Sequence, residues 1–221
     1  MADAPRSPSR AVVLFALDRE AAPFRRAVRG RPDIDIVVTG IGHDAAARAI
    51  AGVLAGPRPG LVIMAGFGGA LRDGLAVGDV VTPAEVADDG GGRWACAGGG
   101  PGRLLTASAV AATPAEKRSL GDRFSADAVD MESAAVAEAC AAAGVPFRAV
   151  RAISDTVDVG LSPRLADLFA AGRFSPLRAA LAAVRQPSLI AEFWRLARDT
   201  RLAADRLAAA LNTLLGERGA Q

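Results

Sequence analysis

The chain has 221 residues, 51% of them hydrophobic, which is enough to bury one sizeable core, and its formal net charge is only +2. The basic residues are scattered among Asp and Glu rather than gathered in a run, so no electrostatic stripe for nucleic acid stands out. Cys96 and Cys140 lack CxxC spacing and His43 is the single histidine, which excludes the usual His/Cys metal cluster.

No stretch offers about 18 uninterrupted apolar residues to span a membrane. The apolar run Ala11 to Leu17 is too short for a secretory signal and leads straight into Asp18-Arg19-Glu20. A soluble, cytoplasmic protein without metal is expected, with peripheral attachment to a membrane surface left open. All but one of the 26 basic residues are Arg, the exception being Lys117. With the abundant Ala and Gly, this reads as compositional bias and points to no chemistry.

Residues 1–10, MADAPRSPSR, are polar and read as a disordered N-terminus before a single domain over 11–221. Short Val- and Ile-rich runs then alternate with Ala-rich amphipathic stretches: AVVLFAL with DREAAPFRRAV, DIVVTGIG with HDAAARAIAGVLA, LVIMAG with FGGAL. That alternation predicts an α/β fold with a mostly parallel sheet between helices. LAVGDVVTPAEV follows as a strand entered through Gly78-Asp79, and VPFRAVRAIS as a strand started by Pro146. Between them, the glycine-laden residues 88–102 read as a flexible loop or hairpin tip. Thr113 with Pro114 and Glu116 reads as a helix start. From about 161 the pattern is an extended helical segment divided by Pro163, Pro176 and Pro187 into about three helices. Leu189, Phe193, Leu196, Leu202, Leu207 and Leu211 stand there at helical spacing, as candidate core.

In open α/β sheets, ligands bind beyond the carboxyl ends of the strands, where helix N-termini and loop backbones converge. The residues after the predicted strands are Asp18 and Glu20, Gly40 to His43, Gly66 to Gly69, and Ser154-Asp155, and Asp130 to Ser133 stand before the Ala-rich helix. Each acid has a structural alternative: Asp18, Asp130 and Asp155 as helix caps, Glu20 and Glu132 as first-turn charges favoured by the helix dipole. Their concentration on one rim points the other way, because closely spaced acids repel and a structural protein has no need of them. His43, in a glycine-flanked turn, reads as a cap or packing residue. Gly68 and Gly69 either leave room for a flat ligand or make a tight turn.

Four stretches carry a resemblance: AVVLFALDREA, VVTGIGHDAAA, GFGGALRDGLAVGDVV (Gly66 to Val81) and VDMESAAVAEACAAAGVPFRAVRAISD (Val129 to Asp155). In order and spacing they resemble the methylthioadenosine/adenosylhomocysteine nucleosidases and purine nucleoside phosphorylases over roughly residues 11–157. The resemblance implies a three-layer αβα sandwich with a central mixed, mostly parallel sheet, and cleavage of a purine nucleoside's N-glycosidic bond. By the same resemblance, Asp155 is the acid that protonates purine N7, oriented by Ser154. Glu132, with Met131 beside it, holds the ribose hydroxyls. Glu20 stands where the nucleosidase branch has its water-activating glutamate and the phosphorylases have a phosphate-binding loop. Arg151 and Phe67 fall at the nucleophile pocket, Gly68, Gly69 and Ala111 at the base. Arg151 could equally pair with a neighbouring acid.

This chain departs from the family in having Phe67 where the nucleosidases have a serine, and in a tail longer than a single closing helix. AATPAEKRSL (Ala111 to Leu120) and the Arg- and Leu-rich tail are similar to the hopanoid-associated phosphorylase group, which implies adenosylhopane as substrate and ribosylhopane as product. Phe193 and Trp194 would then line a greasy channel or rest on a membrane surface, or simply pack. The alternatives are a nucleosidase for methylthioadenosine or adenosylhomocysteine, and a nucleoside-binding protein that turns nothing over. Retention of Glu20, Glu132 and Asp155 argues against the last. No cofactor is expected, with phosphate possible as co-substrate, and the resemblance implies a homodimer or larger assembly.

Overall fold

A computed structural model describes residues 10–160 and 188–218. The expected N-terminal disorder and the first two of the three expected closing helices therefore lie outside the described residues. Nine strands form one mixed sheet: β1 (Ala11–Phe15), β2 (Ile34–Val38), β3 (Leu61–Ala70), β4 (Val80–Val81), β5 (Glu85–Asp88), β6 (Arg93–Ala95), β7 (Arg103–Thr106), β8 (Ala128–Asp130) and β9 (Phe147–Asp155). The spatial order is β2-β1-β3-β8-β7-β5-β6, with β9 paired to β3 and β4. Parallel pairings predominate; β3 with β8, β4 with β9 and β5 with β6 are antiparallel. The helices are α1 (Asp18–Ala27), α2 (His43–Leu54), α3 (Pro114–Phe124), α4 (Ser133–Ala142) and α5 (Ser188–Arg218).

Side-chain alternation along the central strands creates the three layers. Val12 and Leu14 of β1 and Val62 and Met64 of β3 join a cluster with Ala46 and Ile50 of α2 and Val136 and Cys140 of α4. Their neighbours Val13, Phe15, Ile63 and Ala65 point the other way, into a second cluster with Ala21 and Phe24 of α1 and Leu207 and Leu211 of α5. Strands buried on both faces are what continuous apolar runs such as AVVLF and LVIMA specify.

The sheet departs from the sequence expectation in three places. FGGAL does not leave the sheet: β3 runs on to Ala70, pairing with β9 from Val62 to Gly69, and Gly68 and Gly69 lie in a strand rather than a tight turn. LAVGDVVTPAEV divides into β4 and β5, because Pro83 cannot donate to a ladder. The glycine-rich stretch takes the hairpin alternative and in addition supplies a strand of its own, β6, paired antiparallel to β5. By contrast, α3 starts as its sequence predicts, with Thr113 Oγ1 accepting the Glu116 N–H at 3.2 Å and Glu116 returning to the Thr113 N–H at 3.0 Å.

The third expected closing helix begins directly after Pro187 as α5. Ala203, Leu207, Leu211 and Leu215, at four-residue spacing, bury one stripe of it, and Leu207 and Leu211 are fully buried as expected. Leu202 is not core; it is 43% exposed, one position off the stripe. No helix among the described residues is long and apolar enough to cross a membrane.

Candidate active site

The carboxyl ends of β1, β3, β8 and β9 converge on a cavity of about 190 Å³. Its wall includes Glu20, Phe67, Gly68, Gly69, Met131, Glu132, Ser154 and Asp155, eight of the ten residues singled out in the sequence. The other two stand back from it. Val110 lines the cavity in place of the expected Ala111. Arg151 is wholly buried behind the wall.

Glu20 is placed by α1. Its Oε2 accepts the N–H of Leu17, just before the helix, at 2.9 Å, and its Oε1 accepts the Phe67 N–H of β3, also at 2.9 Å. The first-turn reading of this glutamate holds, and the same carboxylate, in the cavity wall, ties the helix start to the third strand. Burial raises the Glu20 carboxyl above the usual carboxylate range, against the pull of the Phe67 and Leu17 amides and of Arg151 and Arg19.

Arg151 takes the pairing alternative. Its guanidinium forms an ion pair with Asp130, donates to Ser133 Oγ at 2.9 Å, and leaves Nε buried without a hydrogen-bond partner. A methyl group on Gly66 would overlap Arg151 Nη1 and approach Glu20 Oε1 to 3.0 Å, so only glycine lets these two side chains cross the strand there. Arg151 therefore acts on the site through the charge it presents to Glu20 and Glu132, not as part of the cavity wall.

Glu132 sits at the start of α4 and reaches across to accept the Gly42 N–H at 2.8 Å, a contact between residues 90 apart in sequence. Burial and the neighbouring Asp130 carboxylate push it up to about 7, against Arg151 and the Gly42 amide. Asp130 itself works as the structural alternative proposed, accepting the Ser133 N–H at 3.2 Å at the opening of α4, with Thr106 Oγ1 donating to it at 2.7 Å.

Asp155, at the end of β9, accepts the Ser154 hydroxyl at 2.6 Å on Oδ1. Its Oδ2 faces Lys117, whose ammonium is 2% exposed and also donates to the carbonyls of Thr156 at 2.9 Å and Val159 at 2.8 Å. Gly69 leaves room for this carboxylate: a methyl group there would stand 3.1 Å from Asp155 Oδ2.

Sequence reasoning missed several wall residues. Arg19 lies with its guanidinium carbon 5.7 Å from the Phe67 ring centroid, and Leu196 and Thr200 are supplied by α5. Lys117, set aside as compositional, is the partner of Asp155; its being the one lysine in an arginine-rich chain was the available signal. Two other residues of the predicted rim lie outside this cavity. Asp18 is an exposed first-turn residue facing Arg25. His43 is the exposed first residue of α2, beside Asp44, with Gly42 as the cap. Trp194 lies on another face of α5 from Leu196 and Thr200, 74% exposed, in a surface hollow with Arg195, Arg198 and Arg201.

The chain is similar to known proteins in sequence and in fold. The chain is 34% identical over 172 residues to the 5′-methylthioadenosine/S-adenosylhomocysteine nucleosidase of Actinobacillus succinogenes, covering 62% of this chain and 74% of that one. Its fold is similar to that of the Helicobacter pylori 5′-methylthioadenosine/S-adenosylhomocysteine nucleosidase, with a TM-score of 0.73 at 15% identity over 95% of this chain and 98% of that one. The futalosine hydrolase of the same organism gives a TM-score of 0.72 at 15% identity, covering 95% and 98%. The Phosphorylase superfamily pattern matches residues 21–102 and 100–172, most of the span from α1 past the end of β9. With its mixed sheet, its continuous third strand and its convergent carboxylates, the chain belongs to the phosphorylase superfamily.

Proposed function

We propose that this protein is an N-ribosyl hydrolase of adenine nucleosides, and the observation that carries the reading is the convergence of Asp155, Glu132 and Glu20 on one cavity. Breaking the bond between C1′ and N9 builds positive charge on the sugar and negative charge on the base. Asp155, aligned by Ser154, delivers a proton to N7 of the departing purine. Glu132 accepts the ribose hydroxyls with Met131 against the sugar, while Gly68, Gly69 and Val110 border the base and Phe67 stands beside Glu20 at the nucleophile. Glu20 takes a proton from the attacking water, and its burial, which raises the carboxyl above the usual carboxylate range, makes it a stronger base. Water is favoured over phosphate as nucleophile because Glu20 stands where the phosphorylases have a phosphate-binding loop, and a carboxylate there can take a proton from water but repels a phosphate anion. Protonation and charge stabilisation call for no cofactor.

The identity with the A. succinogenes nucleosidase supports a small thioether nucleoside as substrate. A second reading, adenosylhopane cleaved to ribosylhopane, is supported by the exposed Trp194 among three arginines, a surface suited to anionic lipid near the helix that closes the cavity. Adenine release from methylthioadenosine and from detergent-dispersed adenosylhopane, each with and without phosphate, tests both readings. We expect phosphate-independent release, and a loss of about 10²–10⁴-fold in Asp155→Asn. Strict dependence on phosphate would overturn hydrolysis, and no adenine from either substrate would overturn the substrate class.

A further inference from the structure

Lys117 is the one lysine of the chain, and it is buried, on α3, 38 residues before the carboxylate it meets. An ammonium has three donors in tetrahedral array, and here all three are used: on Asp155 Oδ2, on the Thr156 carbonyl and on the Val159 carbonyl. The planar fork of an arginine could not reach these three acceptors around one point. Its neighbour Arg118 holds Asp158 at 2.5 Å, so one turn of α3 pins the chain directly after β9.

We propose that Lys117 is a positioning residue for the reaction, holding Asp155 at the base and receiving the carboxylate that proton delivery creates. The inference rests on the general-acid reading of Asp155. In the step itself, the Asp155 carboxyl proton passes to N7, the C1′–N9 bond breaks with its electron pair going to the base, and neutral adenine leaves. Asp155 is left as a carboxylate against the Lys117 ammonium, the pairing the structure contains. Water then adds to C1′ and its proton goes to Glu20; Glu20 gives that proton to solvent and Asp155 takes one back before the next turnover, so no proton is gained or lost overall. A fixed positive charge behind the acid favours the side of the transfer on which the carboxylate is formed, and so speeds departure of a leaving group that needs a proton. A leaving group that departs readily as an anion gains nothing from it.

The experiment compares methylthioadenosine with 4-nitrophenyl β-ribofuranoside in the wild type, Asp155→Asn, Lys117→Met and the double variant. In Lys117→Met, kcat for adenine release should fall by about 100-fold with KM within about threefold, while 4-nitrophenol release changes by less than about threefold. The double variant should be no slower than Asp155→Asn, since both changes remove the same step. Equal losses on both substrates, multiplicative losses in the double variant, or an unchanged kcat would each overturn the proposal. Should Lys117→Met fail to fold, ¹⁵N-lysine labelling of the wild type and Asp155→Asn gives one side-chain signal. That signal should move when the carboxylate is removed, and an unmoved signal sinks the proposal. If Asp155→Asn releases adenine at the wild-type rate, the general-acid reading itself falls. If Asp155→Asn is slow and Lys117→Met is not, only the role of Lys117 falls.

Discussion

Glu132 shows how one side chain couples binding to stability. Its carboxyl is raised from 4.5 to about 7 by burial and by Asp130. A carboxyl raised on folding binds more protons in the native chain than in the unfolded one between those two values. Its contribution is therefore fully present below about pH 4.5 and is lost as pH rises through about 7. Glu132→Gln, neutral and able to keep the Gly42 contact, should stabilise the protein at pH 8 by on the order of 1–3 kcal/mol and flatten the pH dependence of Tm between 5 and 8. Calorimetry at both pH values checks it. The same variant loses the ionised acceptor for two hydroxyls, so KM for the nucleoside should rise. In the wild type, KM should fall as pH rises through about 7. A Gln variant no more stable at pH 8 than the parent would place the cost of burial elsewhere.

At the scale of elements, the site depends on helices that hold strand ends in place. Glu20 links α1 to β3, Glu132 links α4 to the cap of α2, and Lys117 links α3 to the end of β9. On the side of the sheet that α1 also covers, α5 is fastened by one apolar stripe against α1, β3 and β9 while Leu196 and Thr200 reach the cavity. Leu207→Ala should cost about 2–5 kcal/mol in urea unfolding, because its side chain is fully buried between layers. Leu202→Ala, off the stripe, should stay within about 0.5 kcal/mol of the parent. Similar losses at both positions would mean that α5 packs through a different face.

For the whole molecule, the candidate active site and the surface that the adenosylhopane reading invokes are spatially separate. The carboxylate-lined cavity lies at the strand ends, and Trp194 with Arg195, Arg198 and Arg201 lies outside it on α5. Trp194→Ala removes an exposed ring and should leave Tm unchanged. If adenosylhopane is the substrate, the same change should slow its turnover on anionic vesicles several-fold while methylthioadenosine is cleaved as before. Equal turnover of the lipid nucleoside in variant and parent would remove the support that Trp194 lends to that reading.

Much of this was legible in the residues themselves. Continuous apolar runs identified β1 and β3, Pro146 marked the start of β9, and the Thr113-Pro114-Glu116 pattern identified the start of α3. The rule that ligands sit at strand ends located eight of the ten site positions. These signals are local, carried by periodicity and by turn chemistry within a few residues. The three-residue β8 and the four-residue β7 were not legible, because such short strands have no period of their own and exist only through their neighbours. Nor could local pattern tell that Glu20 would meet the Phe67 amide, that Arg151 would spend its charge on Asp130, or that Lys117 would stand behind Asp155. Those are contacts between residues tens of positions apart, and a side chain's partner at that distance is decided by which strand ends the sheet brings together.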